Sequence, residues 1–336
     1  MQLMVEEMFE RLLKRYCSLT QVRAMEQNVR GVQLKNVWNE LEAAGLPNAL
    51  ADEQHGGIGL NLSEVVPLFV KMGEHALPLP LAETMVARAL LYRAGETPPS
   101  EPIILATSIS PANAESIETG ELPHARTAGF MLLDCGERLD LYSLEDSKLS
   151  LPLGRYSLSA RVSANTRTVR ASIQSHSVSL REIGAFLHAA RLAGAMQQIL
   201  RMTINYAQTR SQFGRPIGKF QAVQHQISVM AEQVAAASMA VELAGATGNL
   251  LPDPLSAAVA KECTSAASKV VGPIAHAIHG AIGISAEYDL QLFTRLLHEW
   301  RAAEGSESYW AIRIGRSLME SDATRASDFV RNRLAI

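Results

Sequence analysis

Tyr206-Ala207-Gln208-Thr209-Arg210-Ser211-Gln212-Phe213-Gly214-Arg215-Pro216-Ile217-Gly218-Lys219-Phe220-Gln221 separates two long periodic segments. A helix runs to Arg210, Gly214-Arg215-Pro216 forces a turn, and Phe220-Gln221 opens the next helix. A guanidinium, amide donors and an aromatic ring therefore converge on one corner between helices. Arginine supplies paired donors and glycine lets backbone approach, so such a corner can hold a pyrophosphate-bearing ligand. The same residues also read as a simple helix-capping corner, and physics alone leaves both open.

Working outward, Ile183, Leu187, Ala190 and Gly194 form an apolar stripe at helical spacing before the corner. Val223, Ile227, Met230, Val234, Ala237 and Val241 form one after it. Val259, Cys263, Ala266, Val270 and Ile274 give a third, and the stretch around 303–319 a fourth. Residues 181–336 hold 29 alanines against 8 in 101–180, which favours helix there. Small residues let such helices approach closely, so the region reads as a four-helix bundle over 179–336.

The middle of the chain changes character. Pro102-Ile103-Ile104-Leu105-Ala106 reads as a strand. Gly129 to Asp134 and Arg138 to Tyr142 read as a hairpin across Cys135-Gly136-Glu137, and Ser, Thr and Val alternate from Leu149 to Ile173. A small β domain, barrel or sheet, is expected over 101–178. Residues 1–100 read as helical again. Val32, Leu34, Val37, Trp38 and Leu41 are amphipathic, Gly45-Leu46-Pro47 stops that helix, and Ser63 is the expected cap of the next. The order is helices, then strands, then helices. This mainly α chain with a small β domain is not a Rossmann alternation.

Composition narrows the function classes. The 336 residues are 47% hydrophobic and 19% charged, which suits two or three well-packed units and excludes global disorder. A net charge of −3 and 5% aromatics argue against a nucleic-acid partner. Cys17, Cys135 and Cys263 lie far apart, the first residues are acidic, and no uninterrupted apolar run reaches membrane-span length. A cytoplasmic protein with no membrane partner is expected. Gly56-Gly57-Ile58-Gly59 and Gly280-Ala281-Ile282-Gly283 are not GxGxxG loops and read as turns. The nine histidines form no ligand grouping, so no metal site is expected.

The corner at 206–221 closely resembles the signature of the acyl-CoA dehydrogenase family. His279-Gly280-Ala281-Ile282-Gly283-Ile284 with Glu287-Tyr288-Asp289-Leu290 resembles a second family segment. Gln54 to Leu60 and Leu77 to Thr84 resemble its N-terminal domain. The resemblance covers 181–320 well and the first hundred residues moderately. It implies the helical, β, bundle order, FAD as cofactor, and oxidation of an acyl-CoA thioester to the 2-enoyl-CoA. It also implies that Arg210, Gln212, Phe213, Gly214 and Gln221, with Gly280 and Gly283, contact FAD, often that of a neighbouring subunit. A homodimer, homotetramer or heterotetramer with a longer family member is implied, with an electron-accepting flavoprotein downstream.

Removing the α-proton of a thioester needs a carboxylate on one face and a hydride acceptor on the other. One branch of the family places its glutamate just before a glycine, which selects Glu304 in Ala302-Ala303-Glu304-Gly305-Ser306-Glu307. The other branch's position is Gly184 here, and Glu307 lies one turn beyond Glu304. The plainer reading of Glu304 is a solvated acid at a helix start, where the dipole favours it. The chain also departs from the family. It is tens of residues shorter, mostly in the β segment, and carries no Thr-Glu-x-x-x-Gly-Ser loop or Trp-Ile-Thr strand. Ala277 and Ala281 stand where glutamine and glycine are usual. The short form resembles the smaller subunits of heteromeric acyl-CoA dehydrogenases, which act on bulky acyl-CoAs such as those of sterol side chains. A non-catalytic subunit that shares FAD, or is purely structural, is the alternative.

Overall fold

The computed structural model describes residues 2–29, 31–110, 115–152, 157–175, 178–323 and 325–333. The helices are α1 (Gln2–Tyr16), α2 (Leu19–Gln27), α3 (Val32–Ala43), α4 (Leu62–Glu74) and α5 (Leu81–Arg93), then α6 (Leu180–Thr209), α7 (Gln221–Gly245), α8 (Pro254–His279), α9 (Ala281–Ile284), α10 (Leu290–Ala302), α11 (Glu307–Met319) and α12 (Ala326–Arg333). The strands are β1 (Ile103–Thr107), β2 (Ser116–Leu122), β3 (Phe130–Asp134), β4 (Arg138–Ser143), β5 (Lys148–Ser150), β6 (Ala160–Asn165) and β7 (Val169–Gln174), with the short pair β8 (Ser211–Gln212) and β9 (Arg215–Pro216). Two compact units result. One comprises 1–65, 77–187 and 248–251, the other 66–76, 188–247 and 252–336.

In the first unit β1, β3, β4 and β7 form one sheet, and β2, β6 and β5 a second. The β3–β4 hairpin pairs Asp134 with Leu139, as its turn residues predict, while β1 adds to β3 in parallel. Ile104, Met131, Leu133 and Tyr142 from one sheet pack with Ile117, Ala160 and Val162 from the other. Among the described residues the β segment is therefore a pair of open sheets and not a closed barrel. Arg88, buried on α5, holds the helices of this unit through Glu42, Asn48 Oδ1 (3.1 Å) and the Ser100 carbonyl (2.8 Å). Ser63 does not cap α4. Asn61 does, its Oδ1 accepting from Glu64 N at 3.1 Å while Glu64 Oε2 accepts from Asn61 N at 2.9 Å. This reciprocal box satisfies two donors at once, which a serine inside the first turn cannot.

The second unit is helical and packs through small residues. The stripe of α6 is buried as its spacing predicts. A Cβ at Gly194 would lie 1.9 Å from the Val70 carbonyl oxygen, and one at Gly73 would lie 2.1 Å from that of Arg191. Paired glycines thus set the α4–α6 distance. On α7, Met230, Val234, Ala237 and Val241 are buried and Val223 and Ile227 partly so, again as expected.

The α7 helix is long and apolar enough, by length and composition, to cross a membrane, although it holds no uninterrupted apolar run of that length. Most of it is not buried, and Met239 and Leu243 are exposed. One expectation needs correction. On α8 the stripe Val259, Cys263, Ala266, Val270 and Ile274 is only half-buried. The face turned inward carries Ala257, Lys261, Thr264, Ser268, Val271, Ala275 and Ile278. Small side chains there let α7, α10 and α11 approach closely, so packing distance outweighs hydrophobic contrast in choosing the face.

The glycines give a test with opposite signs. Gly194→Ala should lower stability by about 1–3 kcal/mol, because backbone must move to admit the methyl group. Gly315→Ala on α11 meets nothing within 4 Å and should raise stability by about 0.4–1 kcal/mol. Urea unfolding of the two variants reads both.

Candidate functional site

The corner after α6 is a tight hairpin. Ser211 pairs with Pro216 and Gln212 with Arg215, and Ile217 N donates to the Arg210 carbonyl at 2.8 Å. Phe213 and Gly214 at the tip both have positive φ, 52° and 78°, as a twisted two-residue hairpin loop requires. Glycine accepts that conformation freely, but a phenylalanine there costs about 1–2 kcal/mol. Phe213 is nevertheless 91% exposed, edge-on to Phe220 at 6.2 Å, and the Arg215 guanidinium lies 4.2 Å over the Phe220 ring. A strained, solvated aromatic is a candidate ligand contact, since burial within the chain does not offset its strain. Arg210, Gln212, Gly214 and Gln221 are exposed beside it.

The second glycine segment meets the foot of this corner. Tyr206, one turn before Arg210, stacks on His279 at 4.4 Å and donates its hydroxyl to the His279 carbonyl at 3.3 Å. His279 Nδ1 lies 2.8 Å from the Ala275 carbonyl, so that nitrogen carries the proton. Its Nε2 is then a buried acceptor with no partner among the described residues. Burial holds the imidazole pKa below its usual value. Gly280 is exposed, with φ 65° and ψ −146° and open space where a Cβ would stand. Gly283 is buried instead, and a Cβ there would lie 2.9 Å from His279 Cβ and 3.0 Å from Leu290 Cδ2. Gly280 is thus available to a ligand, whereas Gly283 secures packing.

Glu304 occupies the link between α10 and α11. It is half-buried, with φ 54°, and Gly305 follows at φ 102°. Tyr309 Cδ1 and Trp310 Nε1 would lie 2.6 and 3.0 Å from a Cβ on Gly305, so the next residue must be glycine. Lys261 lies close by, wholly buried, donating to the carbonyls of Trp300 and Arg301. Burial pulls its pKa down to about 7, against the attraction first of Glu304 and then of Glu307. Glu307 is chelated. Arg301 Nε and Nη2 donate to its two oxygens at 2.9 and 2.6 Å, and Lys269 Nζ stands 3.3 Å away. Those partners, Arg301 foremost, hold its pKa at about 2.

The sequence-selected residues therefore fall into two groups. Arg210, Gln212, Phe213, Gly214, Gln221 and Gly280 gather at the C-terminal end of α8. Glu304 gathers with Lys261 nearer its other end. Eighteen residues separate Lys261 from His279, about 27 Å at helical rise. The first group suits an anionic dinucleotide such as FAD. Its guanidinium and amide donors face solvent, and Gly214 and Gly280 have open space where a Cβ would stand. Sequence reasoning missed Tyr206, Lys261 and Arg301. Only Tyr206, inside the quoted motif, carried a usable signal.

Comparison with known proteins gives the family. Residues 181–319 match the acyl-CoA dehydrogenase C-terminal domain. The acyl-CoA dehydrogenase IpdE2 of Mycolicibacterium smegmatis is 30% identical over 298 residues, 88% of this chain and 91% of that protein. The fold is shared with the ChsE4–ChsE5 complex of Mycobacterium tuberculosis, with a TM-score of 0.80 at 20% identity over 96% of this chain and 98% of that one. A steroid acyl-CoA dehydrogenase variant, Tcur3481–Tcur3483, gives a TM-score of 0.80 at 21% identity over 95% and 98%. With that identity over that span, the chain belongs to the acyl-CoA dehydrogenase family.

Proposed function

We propose that the chain is an FAD-dependent acyl-CoA dehydrogenase that converts an acyl-CoA thioester to its 2-enoyl-CoA, with Glu304 as base. The observation that carries this is the contrast between the two acids of the α10–α11 link. With its pKa held at about 2 by Arg301 and Lys269, Glu307 is a weak base with both oxygens engaged. Glu304 is half-buried on a left-handed turn of its own. Partial desolvation raises the basicity of a carboxylate toward a weak carbon acid. When bound, FAD supplies the acceptor for the β-hydride. Arg210 and Gln212 hold its diphosphate side, Gly214 and Gly280 admit close approach, and Phe213 and Gln221 border the corner. Glu304 takes the α-proton onto a carboxylate oxygen. The short chain and its relatives favour a bulky acyl group, such as one from a sterol side chain, and a flavoprotein as electron acceptor.

About 27 Å of α8 lies between the corner and the Lys261–Glu304 end. That span favours an oligomer in which the corner of one chain completes the cofactor site of another. The second chain is either a copy of this one or a longer family member. The same separation supports a second reading, in which this chain lends its corner to a catalytic partner and performs no chemistry itself.

Three measurements check these readings. The purified protein, with any co-purifying subunit, should be yellow and bleach with an acyl-CoA, and Glu304→Gln should lower turnover by about 10²–10⁴-fold. A colourless preparation still unreactive after FAD is added would defeat the enzyme reading. Co-expressed Glu304→Gln and Arg210→Ala chains should regain activity that each lacks alone, since a mixed oligomer contains one intact site. Finally, the Glu307 pKa lies below its unfolded value of 4.5, so its ion pair stabilises above pH 4.5 and is lost as pH falls toward 2. Glu307→Gln should therefore destabilise at pH 7 in urea unfolding, and the gap to wild type should shrink between pH 4.5 and 2.

A further inference from the structure

Arg301 sits in the last turn of α10 and Glu307 in the first turn of α11. Each charge stands at the helix end that its sign favours, a cation at the C-terminus and an acid at the N-terminus. Five residues, Ala302 to Ser306, separate them, and Glu304 is the middle one. The pair spans this link directly. Arg301 Nε and Nη2 donate to the two Glu307 oxygens at 2.9 and 2.6 Å, so the fork fixes orientation as well as distance. Only 29% of the Arg301 side chain and 13% of the Glu307 side chain are exposed, unlike the solvated pairs that contribute little. At the start of α11, Ser306 makes no capping hydrogen bond. The end of α10 is capped from α8, its Trp300 and Arg301 carbonyls accepting from the Lys261 ammonium. Between these two helix ends the chain reverses through the left-handed backbone of Glu304 and Gly305.

We propose that Arg301 and Glu307 form a clasp that positions Glu304: by tying the two helix ends in one geometry, the pair holds the link in the left-handed turn that carries the Glu304 side chain. Such backbone is strained in a residue with a Cβ. A link whose ends are untied relaxes toward ordinary backbone, whereas one whose ends are tied at this separation keeps the reversal. Glu307 is thereby part of the frame around Glu304 and not a second base. Lys269, whose side chain is 55% exposed, reaches one Glu307 oxygen at 3.3 Å and adds little to the orientation. The consequence for catalysis rests on Glu304 being the base, whereas the clasp itself does not.

The test combines amide exchange and steady-state kinetics on the full chain, with any co-purifying subunit. The Gly305 amide donates within the link to the Ala302 carbonyl at 3.3 Å, and the Ala303 amide donates to Glu299 at the helix end at 3.0 Å. In Arg301→Gln and in Glu307→Gln, Gly305 exchange should quicken by about tenfold or more while Ala303 exchange holds. Turnover should fall by about 10–100-fold in each, with KM and FAD content unchanged. The double variant should be no slower than either single one, because both remove the same contact. Arg301→Lys keeps the charge but loses the fork, so it should fall between wild type and Arg301→Gln, and it carries the test if the glutamine variants do not fold. Unmoved Gly305 exchange, or Ala303 exchange quickened equally, marks a pair that only supports the helices and overturns the proposal. A double variant whose losses multiply overturns it too. Quickened Gly305 exchange together with full turnover in Glu304→Gln instead removes the base assignment and leaves the clasp standing, so the two failures are distinguishable.

Discussion

A single buried ammonium organises the helical unit. Removing a lysine from water costs several kcal/mol unless its donors and charge are satisfied. Lys261 meets that cost with two backbone carbonyls, the negative end of α10 and two nearby carboxylates. The arrangement constrains its neighbours. The inward face of α8 must stay small around it, hence Ala257, Thr264, Ser265 and Ser268. The α10 helix must end within reach of Nζ, and the link to α11 must begin where the cap leaves it. Removing the ammonium would leave two carbonyls buried and unpaired, which itself costs about 1–3 kcal/mol each.

The two ends of α8 differ in environment for a physical reason. At its C-terminal end the helix stops on Gly280, in a conformation other residues rarely adopt and with open space where a Cβ would stand, and Tyr206 stacks on His279 there. Near its other end α8 is sealed by large side chains, with Trp300 and Trp310 both buried. An anionic dinucleotide needs exposed donors, while a carbon-acid base needs partial removal from water. One continuous helix lets the chain offer both environments in one rigid body.

Legibility in the sequence followed the strength of local signals. The 206–221 corner was readable because glycine, proline and arginine each impose a local geometry. The β3–β4 hairpin was readable from its turn residues. Asn61 was passed over for Ser63 because both are good caps, although Glu64, three residues past Asn61, marks the reciprocal box. The α8 face was misread because an alanine-rich helix offers little hydrophobic contrast. Its most apolar side chains lie toward the surface, and a lysine on the inward face carries no sequence sign of its burial. The role proposed for Glu304 has one sign in the sequence, its Glu-Gly pair. Nothing local reveals the cation that stands beside it, 43 residues earlier in the chain.

Helices that cap themselves usually do so with a left-handed glycine directly after the last turn. Here Ala303 is extended, with φ −61° and ψ 136°, and the left-handed residues follow one and two places later. Because Lys261 satisfies the carbonyls from outside, α10 needs no glycine at that position. The left-handed backbone can then be assigned to Glu304, which spends about 1–2 kcal/mol to adopt it. That strain restricts the directions open to a flexible side chain. Glu307, three residues on, shows the opposite solution: ordinary helical backbone, with its carboxylate held by Arg301 and Lys269. Two acids within one turn are thus made unlike, one by its backbone and one by its partners.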